Sequence, residues 1–220
     1  MFPHNYFPPA MWLQNGAPAT ASELFVANIA LQKLGAGAIS SMSEDKREAV
    51  LVNSCYALMR DLELRAHLWH FSKTRQVLAP SATVPAFGNQ KAFQLPTGCL
   101  RILPPSRDVD WEIELIDNVP HILSSEGDTL LLRYIKRVTD ATVFDPLFVD
   151  MLACRIAWHL CEAVTQSNTK KDSIKDDYKL ARNMAKKINA FEAPSPQEPE
   201  DDWIISRSYG ERNWLRWGEV

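Results

Sequence analysis

The sequence predicts an α+β fold, mainly helical: an antiparallel helical bundle with an inserted small antiparallel β-sheet, and extended arms at both ends. Three observations predict it. Apolar residues recur at helical steps in two stretches near the start and two near the end of the chain. Between these pairs, Pro80, Pro85, Pro96, Pro104, Pro105 and Pro120 forbid long helices, and short β-type runs take over. At either end the composition turns to proline and aromatic residues without a period. The resulting division is an N-terminal arm over 1–19, two helices within 20–72, a β insert over 73–140, two helices within 141–191, and a linker with a C-terminal docking arm over 192–220.

Residues 1–19 hold Phe2, Tyr6, Phe7 and Trp12 among prolines, a segment ordered only where something holds its rings. The first helix is expected to open at a capping box, Thr20-Ala-Ser-Glu23. Leu24, Ala27, Leu31 and Leu34 follow at helical spacing, and Gly35 suits the left-handed position that ends a helix. Ser43 reads as the cap of a second helix, with Leu51, Cys55, Leu58, Leu62 and Ala66 as its buried stripe. That helix should run to about His67, and Trp69 and Phe71 then lead into an extended segment.

The β-type runs are Phe93–Leu95, Leu100–Leu103, Trp111–Ile116, His121–Ser124 and Thr129–Val138. Asp117-Asn118 reads as one turn, and Ser125-Glu-Gly-Asp128 as a second that joins the last two runs in a hairpin. Asp145-Pro146 is a strong helix start, a capping Asp before Pro at the first helical position. Phe148, Leu152, Ile156, His159 and Ala163 follow on one face of this helix, with Leu147, Met151, Cys154 and Trp158 on its neighbour. So much apolar surface makes it central. A fourth helix over about 169–190 is striped by Ile174, Tyr178, Ala181, Ala185 and Ile188.

Composition bounds the function. The chain of 220 residues is 46% hydrophobic and 23% charged, ordinary globular usage in a length that buries a sizeable core. A formal charge of −3 argues against wholesale coating of nucleic acid. Cys55, Cys99, Cys154 and Cys161 form no close pair, so free thiols and synthesis in a reducing cytosol are expected. The first positive side chain is Lys33, which argues against a signal peptide. No apolar stretch approaches the ~20 residues that span a bilayer, so no membrane partner is expected.

Glu23-Leu24…Asn28…Leu31…Leu34-Gly35…Ile39-Ser40-Ser41 resembles the opening of the tail tubular protein A family, the head-to-tail adaptor or gatekeeper ring of short-tailed bacteriophages. Trp69-His70-Phe71 is similar to that family's helix-ending Trp-x-Phe. Phe93-Gln-Leu-Pro96…Cys99-Leu-Arg101, Arg133-Tyr134-Ile135 and Phe144-Asp-Pro-Leu-Phe148 continue the likeness over roughly residues 20–190. Gly98 stands where an acid is common in such segments, and the aromatic N-terminal arm is longer than the likeness leads one to expect.

The resemblance implies a structural virion protein, made in the host cytoplasm and assembled as a twelve-fold ring. Its partners would be further copies of itself, the portal, the tail nozzle or tube, and, transiently, double-stranded DNA during ejection. It implies no cofactor, no metal and no catalytic residue.

Candidate sites are weighed on their own residues. Trp203, Ile204, Ile205, Trp214, Leu215 and Trp217 follow a proline-rich acidic linker in a stretch too short to build a core, and read as a portal-docking arm. Lys170, Lys171, Lys175, Lys179, Lys186 and Lys187 suit a solvated face opposite an acidic surface, or non-specific contact with DNA phosphates. Glu112 and Glu114 share a strand face and raise the alternative of a tail-associated polysaccharide-degrading enzyme, although exposed same-strand carboxylates are usually just solvated. The Lys-rich helix raises a second alternative, a non-specific nucleic-acid-binding helical protein. His67 and His70 lack a third metal ligand at fitting spacing, and His159 with Cys154 and Cys161 reads as a set of core residues.

Overall fold

The computed structural model describes residues 22–82, 85, 87–88, 91–103, 110–125 and 128–192. The expected N-terminal arm lies outside them, as do the linker beyond Glu192 and the C-terminal arm. The described chain is a mixed α+β fold of four helices and two small antiparallel sheets. The helices are α1 (Glu23–Leu34), α2 (Arg47–Ala66), α3 (Pro146–Thr165) and α4 (Asn168–Phe191). The strands are β1 (Lys73–Leu78), β2 (Lys91–Gln94), β3 (Cys99–Leu103), β4 (Trp111–Ile116), β5 (Val119–Ser124) and β6 (Leu130–Lys136).

Ser22 caps α1, its hydroxyl accepting the Phe25 N–H at 3.1 Å. The cap therefore falls two residues later than Thr20, which places Glu23 in the first turn where the helix dipole favours an acid. Gly35 closes α1 in the left-handed conformation (φ 75°), as its spacing predicts. The chain that follows is fastened to α1 by Asn28. Its amide donates to the Ile39 carbonyl at 3.0 Å and its oxygen accepts the Ile39 N–H at 2.9 Å.

The start of α2 differs from expectation. Ser43 does not cap it, since its N–H is held by the Ser41 hydroxyl, and the N-cap Lys46 makes no side-chain capping bond. The buried stripe also differs. Of the expected residues, Leu58 and Leu62 are 58% and 42% exposed and Ala66 is exposed, while Val52, Tyr56, Met59, Arg60, Glu63 and Leu64 are buried beside Cys55. The helix is rotated so that two charged side chains face inward, because each meets a partner there. Arg60 lies 3.4 Å from Glu23 and 3.1 Å from Asp61, and Glu63 accepts a hydrogen bond from Tyr178.

Asp145 caps α3 as expected, accepting the Leu147 and Phe148 N–H groups at 2.7 and 3.4 Å, with Pro146 at the first position. Both α1 and α2 pack on α3, whose Phe148, Met151, Leu152, Ala153, Ile156 and Ala157 are fully covered. His159 and Ala163, expected on the same buried face, are exposed. Trp69, Phe71 and Phe144 cover that face around Phe148, and it emerges to solvent by His159. The stripe of α4 follows the sequence, with Ile174, Tyr178 and Ala185 buried and Ala181 half-buried.

The β region forms two three-stranded sheets, ordered β1-β6-β3 and β2-β5-β4, where a single sheet was expected. Asp117 and Asn118 turn β4 into β5 with both φ angles positive (51° and 60°), the backbone a two-residue hairpin of matching twist requires. The expected hairpin between β5 and β6 does not form, because each pairs within a different sheet. Apolar burial supplies the reason. Leu78, Leu130, Leu132 and Tyr134 of one sheet cluster with Phe93 and Ile122 of the other, with Ile102 and Trp111 alongside, so the two layers cover each other's apolar faces. β1 was not marked as a strand in the sequence because Lys-Thr-Arg-Gln-Val-Leu lacks a strong alternation, and only Leu78 is buried. Gly98 adopts φ 79°, and its carbonyl accepts the Arg137 N–H at 2.7 Å. Glycine is favoured there over an acid because the left-handed backbone costs it no Cβ clash.

Candidate functional site

Three helices meet at one buried carboxylate. The hydroxyl of Tyr178 on α4 donates to Glu63 Oε1 on α2 at 2.6 Å, and Arg155 Nε of α3 lies 3.6 Å from the same oxygen. The Arg155 guanidinium sits 4.8 Å from the Trp158 ring centroid and 5.4 Å from that of Tyr178, and the two rings stack at 5.7 Å. Burial, followed by the hydrogen bond and charge of Glu63, pushes the Tyr178 hydroxyl up to about 12. A phenol held protonated by a carboxylate is a structural lock joining α2, α3 and α4. The sequence marks Tyr178 and Trp158 as apolar positions, and nothing in its pattern flags Glu63 as buried.

A second junction is aromatic. Phe148 packs edge-to-face on Trp69 at 5.1 Å and on Phe71 at 5.0 Å, and Phe144 lies 5.6 Å from Phe71. The Trp69 Nε1–H donates to the Glu63 carbonyl at 2.9 Å, tying the aromatic cluster to the lock.

The remaining sequence-stated candidates fall as follows. Trp203, Ile204, Ile205, Trp214, Leu215 and Trp217 lie outside the described residues. The six lysines of α4 do not gather on one side: Lys171 pairs with Glu162 at 2.7 Å, Lys179 with Asp176 at 2.8 Å, and Asp172 and Asp177 are interleaved among them. Lys170, Lys175 and Lys187 are exposed, and Lys186 is half-buried. Its charge reaches His67, whose imidazole is held below its usual range by burial first, then by Lys186, Arg182, His70 and Lys73. Among the described residues no three potential ligands are placed to hold a metal ion.

Glu112 and Glu114 are exposed on β4, opposite Leu123 and His121. His159 is exposed, away from a core role, while Cys154 and Cys161 are buried. All four cysteines are free, and burial pushes the Cys55, Cys99 and Cys154 thiols up, away from nucleophilic thiolate. A depression of about 490 Å³ beside α1, lined by Phe25, Asn28, Ile29 and Gln32 with small residues, offers no acid, base or nucleophile.

Apolar side chains left in solvent are the more distinctive feature. Leu58 and Leu62 stand out along α2, and Leu180 and Met184, 70% and 60% exposed, stand one turn apart on α4. Val77 and Leu131 face each other in register on the outer side of the first sheet, both exposed. β4 is the outer strand of its sheet, and Ile113 and Leu115 project from it, 55% and 68% exposed. Such surface on a protein of this size marks contacts with other chains.

No protein-family model matches the chain, and no curated protein matches it. No described helix is long and apolar enough to cross a membrane.

Proposed function

We propose that this chain is a structural subunit of a virion, the adaptor ring that joins a portal to the tail nozzle or tube of a short-tailed bacteriophage. In this reading the four helices form the antiparallel bundle and the two sheets its insert. The aromatic segment after residue 202 is the portal-docking arm, and copies close a ring, twelve-fold by the resemblance, whose lumen passes DNA.

One observation carries the reading: residues that compose the resemblance meet in space. Trp69 and Phe71 from one similar segment pack on Phe144 and Phe148 from another more than 70 positions away. Asn28 binds the backbone of Ile39, both within the opening segment. Arg101 stands opposite Ile135 in the β3–β6 register. Residues that hold a fold together are those a shared fold would keep, so the likeness rests on architecture and not on isolated words. The exposed apolar surfaces on α2, α4 and β4 add support, since a ring subunit leaves such faces for its neighbours.

The test is assembly on the portal of the same phage. Full-length chain mixed with portal should form decorated rings in negative-stain images. A chain lacking 203–220 should keep its circular dichroism spectrum and fail to decorate. Normal decoration by the shortened chain removes the docking-arm assignment, and no ring with the intact chain removes the adaptor reading.

A further inference from the structure

The outer face of the β1-β6-β3 sheet carries a concentration of positive charge that the α4 lysines do not. Register places Lys73, Ile135 and Arg101 in one row and Arg75, Arg133 and Leu103 in the next, followed by Val77 opposite Leu131. Lys73, Arg75, Arg101 and Arg133 are exposed, and none of the described residues in these rows is acidic. Like charges directly opposite each other on a sheet cost stability, and here two arginines, Arg75 and Arg133, share one register position.

The band continues beside the sheet. The Arg65 guanidinium donates to the Leu100 carbonyl, and that of Arg101 to the Arg65 carbonyl at 3.3 Å. Bonds to backbone carbonyls hold these groups in place and leave their positive charge intact. At the Lys73 end, Arg182 and Lys186 approach from α4, close enough that both, with Lys73, disfavour the charged form of His67. Arg182 Nε is buried without a hydrogen-bond partner among the described residues.

We infer that this sheet face binds the phosphate backbone of double-stranded DNA without reading its sequence. The shape of the surface favours phosphates over an acidic protein. Protein interfaces deplete charge at their centre and keep it at the rim. Here the cations hold the centre, and the exposed apolar pair Val77 and Leu131 lies at one end. Cations repeating across strands ~4.8 Å apart, and at every second residue along them, suit a rod of regularly spaced negative charge. Under the adaptor reading, on which only this last step rests, the face is the one turned to the DNA channel.

The experiment is fluorescence anisotropy of a labelled, mixed-sequence short duplex titrated with the full chain at several salt concentrations. Binding should be sequence-independent and weaken steeply with salt. Lys73→Glu with Arg75→Glu should weaken it about tenfold or more and flatten the salt slope by about 2, one per lost phosphate contact. The milder Arg75→Gln, at an exposed position with the fold checked by circular dichroism, should weaken it in the same direction. Lys170→Glu with Lys175→Glu on α4 should leave it unchanged. The inference is overturned by absence of binding at low salt, by a Lys73/Arg75 variant that binds as the unaltered chain does, by loss through the α4 variant alone, or by poly-glutamate binding more tightly than duplex. Portal decoration by the same variants keeps the two readings apart: lost duplex binding with intact decoration removes this inference alone, and the reverse removes the adaptor alone.

Discussion

Helices α2 and α3 are each 20 residues long and lie against one another, yet they use their apolar residues in opposite ways. α3 turns nearly every apolar side chain into the core, and its ionic residues outward. α2 buries Arg60 and Glu63 and shows Leu58 and Leu62 to solvent. The contrast teaches that one helix is built for the fold and the other divides its surface between the fold and something outside it. Burying a charge is tolerable only where partners await it, and α2 gains those partners from α1, α3 and α4.

The largest effect should come from the centre of α3. Phe148→Ala is expected to cost about 3–5 kcal/mol by removing the ring around which Trp69, Phe71 and Phe144 pack. Urea unfolding followed by circular dichroism measures it, and a loss below about 1 kcal/mol would deny α3 its central place.

Next comes the charged side of α2. Tyr178→Phe leaves the Glu63 carboxylate without its shortest donor and should cost about 1.5–3 kcal/mol. The same hydroxyl makes stability depend on pH. Because its folded pKa is raised to about 12 from 10.0, its contribution is complete below pH 10 and is lost as pH rises towards 12. An alkaline stability profile should therefore be flatter in the Tyr178→Phe variant. Equal slopes for the two proteins would contradict the lock.

The two helix starts offer a smaller contrast. Asp145→Ala should cost about 1 kcal/mol, since it releases two backbone donors at the head of α3. Ser43→Ala should shift the melting midpoint little, because Ser43 caps nothing at the head of α2. Comparable losses from both would restore the capping role the sequence suggests for Ser43.

The outer face of α2 should move stability least. Leu58→Glu with Leu62→Glu is expected to change unfolding free energy by no more than about 0.5 kcal/mol, as exposed positions do. The same pair should impair self-association, read by sedimentation velocity in the presence of portal. A large loss of stability would show that these leucines belong to the core after all.

Much of this was legible beforehand, and the failures have definite causes. Gly35, Asp145-Pro146 and Asp117-Asn118 announced their local structure because the backbone itself demands those residue types. The α4 stripe was readable because its one wet side carries lysines and its dry side does not. α2 was misread because periodicity finds an apolar face without saying which neighbour covers it, and here the most obvious leucines point away. The strands were found, but not their sorting into two layers. Sheet pairing is set by contacts distant in the chain, such as Phe93 and Ile122 meeting Leu132 and Tyr134. The cationic rows of the first sheet were invisible for the same reason, since Lys73, Arg75, Arg101 and Arg133 are scattered until register aligns them.

The outward-lying β4 bears on how such a protein must be made. A strand with greasy residues and backbone groups open along one margin invites another strand to zip onto it, and that reaction accelerates with crowding. A host filling with fresh copies would lose a growing share to tangled fibres unless each were promptly claimed by its proper neighbour. Supply in step with demand is then part of what keeps this polypeptide usable.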